Sequence, residues 1–431
     1  MAQDYYDAIV VGAGPGGASA ALVMARNGMS VLMLERGKQP GTKTMFGGTI
    51  YSQALQDLIP EYWQEAPVER AIVTDSLWLM DVTSAVQLQF TGLDFGKAPF
   101  NKFSALRRRF DPWLAQKAVE AGAELRTSSC VARCLKYGRA VCGVELTTGE
   151  KIYGNLVILA DGANSFLAQQ LGMLGRIYPE SVTAYVKEVI ELPAGVIEDR
   201  FQLEPGEGAT YGMVGYPTAG AIGKAGIWTN KDSISLMVGA YLNEMMAKRL
   251  NPFDLLVRFK RHPLVRRLIA GGKTVDYLAH IIPKGGYKDM PQLYDDGVLV
   301  VGDAAVMIRG RHGTDLAMLT GRYAGETAIQ AKAANNFTKR ELVTYKAKVD
   351  RSWFMQDIRA TAKHSGYYSK YSDADYLLSR AANRSAYRMF SEVQVSDADK
   401  KRAIFQELRN LQPLGRSLAD VYQGLLNWRV L

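Results

Sequence analysis

DAIVVGAGPGGASAALVMARNGMSVLMLER, residues Asp7 to Arg36, is the stretch from which the fold is read. A short apolar strand runs into Gly12-x-Gly14-x-x-Gly17, a helix-forming segment follows, and a second apolar strand, Ser30 to Leu34, ends on Glu35. That order predicts a dinucleotide-binding βαβ unit. Gly12 permits the tight turn, Gly14 lets backbone approach a diphosphate, and Gly17 lets the helix lie close to the strand. The helix start then offers unpaired N–H groups to the phosphates. Ala13, Pro15 and Gly16 complete the turn, and Glu35 is placed to accept both hydroxyls of an adenosine ribose.

Working outward, no second GxGxxG occurs. Gly220, Gly223 and Gly226 have the wrong spacing and no flanking strand, helix and acid, so they read as a loop or sheet-edge segment. A single nucleotide unit at the start of the chain argues for a resident flavin over a nicotinamide. It also argues against an enzyme with two dinucleotide domains.

With 431 residues, 48% of them hydrophobic, the chain is expected to form two lobes and an appendage. The first strand begins without a basic segment and apolar stretch before it, so no secretory signal is read, and no spanning helix follows. Any membrane contact is expected to be peripheral. Three cysteines, Cys130, Cys134 and Cys142, match neither a disulfide framework nor a four-thiolate cluster and read as buried or edge-strand thiols. The four histidines, His262, His280, His312 and His364, are too scattered to suggest a metal site.

The net charge of +9 gathers at Arg107-Arg108-Arg109, between Arg258 and Arg267, and at Arg309 and Arg311. No helix-turn-helix, zinc or base-stacking module accompanies it. Nucleic acid is therefore set aside in favour of an acidic protein partner or anionic lipid headgroups. For Asn251 to Ile269 two readings stand. Phe253, Leu256, Phe259 and Leu264 alternate with basic residues as in an interfacial helix, or the same face packs on the core of an ordinary surface helix broken at Pro263.

Further along, Gly47-Gly48 precede a helix-like run and would let backbone lie against a flat ring. Leu77 to Phe90 alternates like strands. Leu106 to Leu125 reads as an amphipathic helix with Trp113, Leu114, Ala118 and Val119 on one face and Gly122 as its stop. A hairpin turning near Tyr137-Gly138 leads to the strand Leu156 to Ala160, which ends in Asp161-Gly162. Ser181 to Val238 is β-rich, Gly297 to Val301 delivers Gly302-Asp303, a helix begins near Gly313-Thr314, and the chain beyond Phe337 is mostly helical.

Three separated signatures now line up: GAGPGG with Glu35, Ala160-Asp161-Gly162, and VLVVGDAA followed by a glycine and a helix. Together they resemble the FAD-binding fold of the aromatic-hydroxylase and geranylgeranyl-reductase superfamily. Within it the chain most resembles the FixC-type electron-transfer flavoprotein:quinone oxidoreductases, through KTMFGGTIYSQALQDLIP, APVER, RRRFDPWLAQKAVEAGA and HPLVRRLIAGG. The resemblance implies an α/β fold, with an FAD-binding Rossmann-like domain of the GR2, aromatic-hydroxylase type. An inserted β-sheet substrate domain and a C-terminal helical region complete it. The FAD domain is expected over 1–76, 103–180 and 281–336, the quinone domain over 77–102 and 181–280, and the helical region over 337–431.

Carried over by motif, the likeness places Gly12, Ala13, Gly14, Pro15, Gly16 and Gly17 at the pyrophosphate and Glu35 and Arg36 at the adenosine. Arg107 and Asp303 fall at the ribityl region, and Val131 is counted with the cofactor-binding residues. It also implies that the helix starting at Gly313 and Thr314 faces the flavin ring. His312 is the candidate for proton transfer, beside the alternative that it serves structure alone.

The function implied is electron transfer between a two-subunit electron-transfer flavoprotein, a separate ferredoxin-like iron–sulfur subunit and a membrane quinone. The setting is cytoplasmic, with a peripheral place at the inner face of the membrane. The competing enzyme readings are a prenyl-chain reductase and an NAD(P)H-dependent hydroxylase, and a flavin-carrying scaffold is the third class. Prenyl reductases tend to carry YxWxFP where this chain has YGMVGYP, Tyr211 to Pro217, without the tryptophan.

Overall fold

The computed structural model describes residues 5–42, 47–283, 286–362, 366–391 and 394–428. His364 and residues 43–46, which open the KTMFGG run, lie outside them. Contacts divide the chain into two units of three stretches each. Met1–Glu69, Lys97–Ser181 and Ile281–Lys363 make the first; Arg70–Gly96, Val182–His280 and His364–Leu431 make the second.

The first unit is organised by Tyr5–Val11, whose apolar run is buried because both faces of its sheet are covered. It pairs in parallel with Val31–Leu34 on one side and Lys151–Leu159 on the other. Glu124–Arg126 extends the sheet beyond the former, and Val298–Val300 beyond the latter, both in parallel. The register sets Val11 opposite Leu34 and Leu159, and Leu159 opposite Val300. Four strands therefore end at one level, so Gly12, Glu35, Ala160 and Val301 all leave the same carboxyl edge. The hairpin Val131–Tyr137 and Ala140–Leu146 turns at Gly138 and joins antiparallel to Lys151–Leu159. Over the sheet, helices Pro15–Arg26 and Thr314–Ala333 cross at small residues. A Cβ on Gly321 would meet the Gly16 carbonyl oxygen at 2.1 Å.

The amphipathic helix runs from Arg107 to Glu120, and its buried face is Phe110, Asp111, Leu114, Ala115 and Ala118. The expected face keeps its direction, with Leu114 and Ala118 buried as read, but its margins change: Trp113 and Val119 are half-buried, while Phe110 and a buried carboxylate take inner positions.

In the second unit the strand order is Lys273–Pro283, Val182–Glu191, Ser233–Tyr241, Gly223–Thr229, Glu207–Gly215, Arg70–Met80, with Ala85–Thr91 paired to Arg70–Met80. All neighbours with a defined register are antiparallel except Glu207–Gly215 beside Arg70–Met80. Val186, Leu236, Ile227, Met213 and Trp78 share a core with Ile197, Phe201, Leu255, Leu256 and Phe259 from the helices. Gly223 and Gly226 lie inside this sheet, in a strand paired on both sides, and not at its edge. The apparent loop signal has a packing cause: a Cβ on Gly223 would meet the Gly239 carbonyl oxygen at 2.2 Å.

Asn251 to Ile269 forms two helices, Pro252–Arg261 and Pro263–Ile269. Leu256 and Phe259, one face of the interfacial reading, are buried in the core of the second unit. Lys260 pairs with Glu188 at 2.7 Å, and Arg258 lies 3.7 Å over the Tyr216 ring. This is the ordinary surface helix of the two readings, with Phe253 left exposed.

Helices Lys339–Arg351 and Trp353–Ala362 belong to the first unit, and Ala374–Phe390, Asp397–Leu411 and Leu414–Trp428 to the second. Residues 337–431 accordingly do not form a unit of their own. No helix among the described residues is long and apolar enough to cross a membrane.

Candidate cofactor site at the carboxyl edge

The glycine turn is held by contacts that exclude side chains. Gly12 has φ +101°, and a Cβ there would lie 2.4 Å from the Ala160 carbonyl oxygen. A Cβ on Gly17 would lie 1.9 Å from the Gly12 carbonyl oxygen. At Gly14 the nearest atom to such a Cβ is an Arg107 guanidinium nitrogen at 4.0 Å, so space opens there. Gly14 is also the N-cap of Pro15–Arg26, a helix with no side-chain cap and no acid in its first turn. Such a start leaves N–H groups and the positive end of the helix dipole for an anion.

Glu35 does more than face outward. Its carboxylate accepts the Ala13 N–H at 3.2 Å and the Gly37 N–H at 2.7 Å, tying the end of the second strand to the turn. Each oxygen keeps a second lone pair for a further donor. Arg36 is exposed and acts electrostatically on Asp161. Val131 lies opposite Leu146 in the hairpin, two residues after Ser129, whose N–H donates to the Glu35 carbonyl at 2.8 Å.

Arg107 begins its helix beside Gly47-Gly48, because the strand Gly47–Tyr51 sets Gly47 opposite Leu106. Its guanidinium donates in a fork to Asp111, at 2.5 and 2.8 Å. Burial pushes the Asp111 carboxyl up, and Arg107 opposes that shift. Burial would lower Arg107, but the charges of Asp111 and Asp303 outweigh it and raise the guanidinium. Asp303 follows Gly302, whose N–H donates to Thr320 Oγ at 3.1 Å. Asp161 accepts the Leu167 N–H at 3.1 Å through one oxygen, while the other, like Thr49 Oγ, is buried without a hydrogen-bond partner among the described residues. Burial raises the Asp161 carboxyl. The structure thus brings the glycine turn, Glu35, Arg107, Asp161, Gly162, Gly302 and Asp303 to one edge of one unit. Asp111 was not singled out from sequence, although its place four residues after Arg107 is a signal for a helical ion pair.

Gly313 and Thr314 begin the helix Thr314–Ala333, and His312 precedes them. The His312 ring stacks on Tyr51, with centroids 4.2 Å apart and planes at 29°, and meets the edge of Trp353 at 5.1 Å. Its Nδ1 is 2.5 Å from an Asp315 oxygen, whose partner oxygen accepts the Gly313 N–H at 3.0 Å. These groups line a cleft of 620 Å³ in the first unit, with Phe100, Leu316 and Leu319 among its walls. The His-x-x-Asp spacing at a helix start was the available sign of Asp315; nothing local marks Tyr51 or Trp353.

The residues present fit a bound dinucleotide: an uncapped helix start, room at Gly14, and buried oxygens on Asp161 and Thr49 that lack hydrogen-bond partners among the described residues. Residues 7–163 match the family model of FAD dependent oxidoreductases. Across 96% of a geranylgeranyl bacteriochlorophyll reductase-like protein from Thermoplasma acidophilum, and 97% of this chain, the folds agree at a TM-score of 0.67 with 18% identity. A myxobacterial chondrochloren halogenase gives 0.65 and 18%, covering 96% of this chain and 91% of its own. The chain is an FAD-dependent oxidoreductase of α/β fold.

Among curated relatives, Protein FixC of Escherichia coli K12 is 41% identical over 367 residues, 84% of this chain and 85% of that protein. Protein FixC of Bradyrhizobium diazoefficiens is 35% identical over the full length of both, and that of Azotobacter vinelandii 38% over 99% of each. The chain belongs to the FixC family.

Proposed function

We propose that the chain passes electrons between a two-subunit electron-transfer flavoprotein, a small ferredoxin-like iron–sulfur subunit and a membrane quinone. The observation that carries this reading is the likeness to FixC along the whole chain, second unit included, where a nucleotide turn alone would support only the first. The cysteines agree with a separate iron–sulfur partner. Cys130, Cys134 and Cys142 are unpaired thiols on or beside one hairpin, and burial pushes Cys134 up to about 12, away from the thiolate a cluster needs.

In this reading Gly12, Ala13, Gly14, Pro15, Gly16 and Gly17 hold the diphosphate, with Glu35, Arg36 and Val131 at the adenosine. Gly47, Gly48, Arg107, Ala160, Asp161, Gly162, Gly302 and Asp303 serve the ribityl and ring side, and Gly313 and Thr314 begin the helix that faces the ring. FAD supplies the change between one-electron and two-electron transfer. The protein supplies the N–H groups, carboxylates and guanidinium that fix the cofactor in place. The setting is cytoplasmic, at the inner face of the membrane through the quinone.

Purification of the tagged chain from its source, followed by anaerobic titration with the recovered flavoprotein and a menaquinone analogue, tests this. Flavin absorbance that responds to both partners is expected. Rapid bleaching by NADPH alone, with neither partner recovered, would replace the reading by a hydroxylase or prenyl-chain reductase.

A further inference from the structure

The cleft beside Gly313 holds a pair of groups that cofactor binding leaves over. Asp315 is 6% exposed, and its carboxylate is engaged by the Gly313 N–H and by His312. An ionised carboxylate only accepts, so His312 Nδ1 carries the hydrogen of that bond, and Nε2 across the ring is the nitrogen left to exchange a proton. Stacking on Tyr51 and edge contact with Trp353 hold the imidazole from two more directions. On another wall of the cleft, Arg322 is paired with Asp57 at 3.2 Å, and its buried Nε, 3.8 Å from Glu326, makes no hydrogen bond among the described residues. Aromatic faces, leucines and two separated polar groups suit a flat ring bearing two carbonyl oxygens.

We infer that this cleft of the first unit, rather than the second-unit sheet to which the resemblance assigned the quinone, receives the quinone ring and that His312, oriented by Asp315, exchanges the proton at one of its carbonyl oxygens, an inference resting on the quinone role proposed above. Two electrons from the reduced flavin and two protons turn both carbonyls into hydroxyls. One new O–H bond takes the proton of the His312 imidazolium, which becomes neutral imidazole and is recharged from solvent; the second proton is also drawn from solvent, to which the proton given up by the oxidised flavin returns. The same steps reversed oxidise a hydroquinone. His312 is the catalytic residue here, and Asp315 a positioning residue.

The test uses the flavin-loaded full chain, reduced with dithionite and mixed in stopped flow with a tail-less menaquinone analogue or with ferricyanide, which accepts electrons without protons. In His312→Gln and Asp315→Asn, reoxidation by the quinone is expected to slow about 100-fold, the scale of general acid–base catalysis, while the ferricyanide rate holds. Equilibrium dialysis should show the quinone still bound by Asp315→Asn but lost in Leu319→Trp, which fills the cleft. Should that variant shed its flavin, Tyr51→Ala replaces it, with about tenfold weaker quinone binding expected from the lost ring contact. Equal slowing with both oxidants, an unchanged quinone rate in His312→Gln, or normal quinone binding with the cleft blocked would each overturn the inference. An unaltered chain that no quinone reoxidises would instead defeat the quinone role itself.

Discussion

Two helices of the first unit begin at glycines, and they begin differently. Pro15–Arg26 starts bare: Gly14 brings no cap and the first turn no acid. Thr314–Ala333 starts with its own carboxylate, Asp315, which accepts the Gly313 N–H and fixes His312. A bare start keeps its dipole for a ligand carrying more than one negative charge; a start that supplies its own anion is partly satisfied and can hold a titratable side chain in place. In the roles proposed above, the first serves affinity and the second chemistry.

The bare start can be broken outright. Gly17→Ala puts a methyl group 1.9 Å from a backbone oxygen that cannot move without the turn, so a loss of about 4 kcal/mol or more is expected, seen as insoluble or colourless protein. A chain that folds and stays yellow would show the turn to be softer than its contacts imply.

Next in size is Arg107→Ala. It strands the Asp111 carboxylate, 1% exposed, and removing one partner of a buried pair costs about 3 kcal/mol. Urea unfolding measures this, and the double variant with Asp111→Leu should recover most of the loss.

Gly14→Asp sharpens the contrast by giving the first helix the carboxylate that the second already has. The N-cap backbone, at φ −72°, accepts aspartate without strain. The flavin-free chain should gain a few tenths of a kcal/mol from the new cap. FAD affinity should fall by at least about 100-fold as the carboxylate occupies the place of the phosphates. Calorimetry of FAD binding together with a melt of the apoprotein separates the two signs.

The smallest effect lies in the second unit and serves as a control. His262 donates from Nε2 to the Asp81 carbonyl at 2.8 Å and accepts the Leu264 N–H at Nδ1, so its neutral form is satisfied on both sides. Burial lowers its pKa below the ordinary 6.5, so the stability it contributes is present above that value and is lost as pH falls from there through the lowered pKa of the folded state. The melting temperature should drop between about pH 7.5 and 5.5 in the unaltered chain and less in His262→Asn, whose amide can replace only part of these bonds. Equal drops in both would remove His262 from the account.

How far each region could be read in advance follows from the range of the interactions that build it. The glycine turn, Glu35 and the strand ends at Ala160 and Gly302 are spelled by residues adjacent in the chain, and four apolar strands in parallel register bring those ends to one level. A dinucleotide-binding α/β fold is legible on that basis, and the FixC-type reading comes only through the resemblance of runs such as KTMFGGTIYSQALQDLIP and HPLVRRLIAGG. The direction of the buried face of the Arg107 helix is legible in Leu114 and Ala118, but Phe110 and Asp111 are missed at its margin because Pro112 and the basic run blur the periodicity, and the inward Asp111 looks polar until its guanidinium partner is counted.

Local order along the chain was thus enough for the flavin fold, the carboxyl edge and most helix and strand positions, since steric rules for glycine and the alternation of apolar residues act over a few neighbours. The meeting of Tyr51, His312, Asp315 and Trp353 around one cleft belongs to the folded molecule. So do the interior place of Gly223 and Gly226 and the division of the C-terminal helices between two units. These depend on contacts between residues tens to hundreds of positions apart, and no pattern within a short window encodes which distant surfaces will be buried against each other.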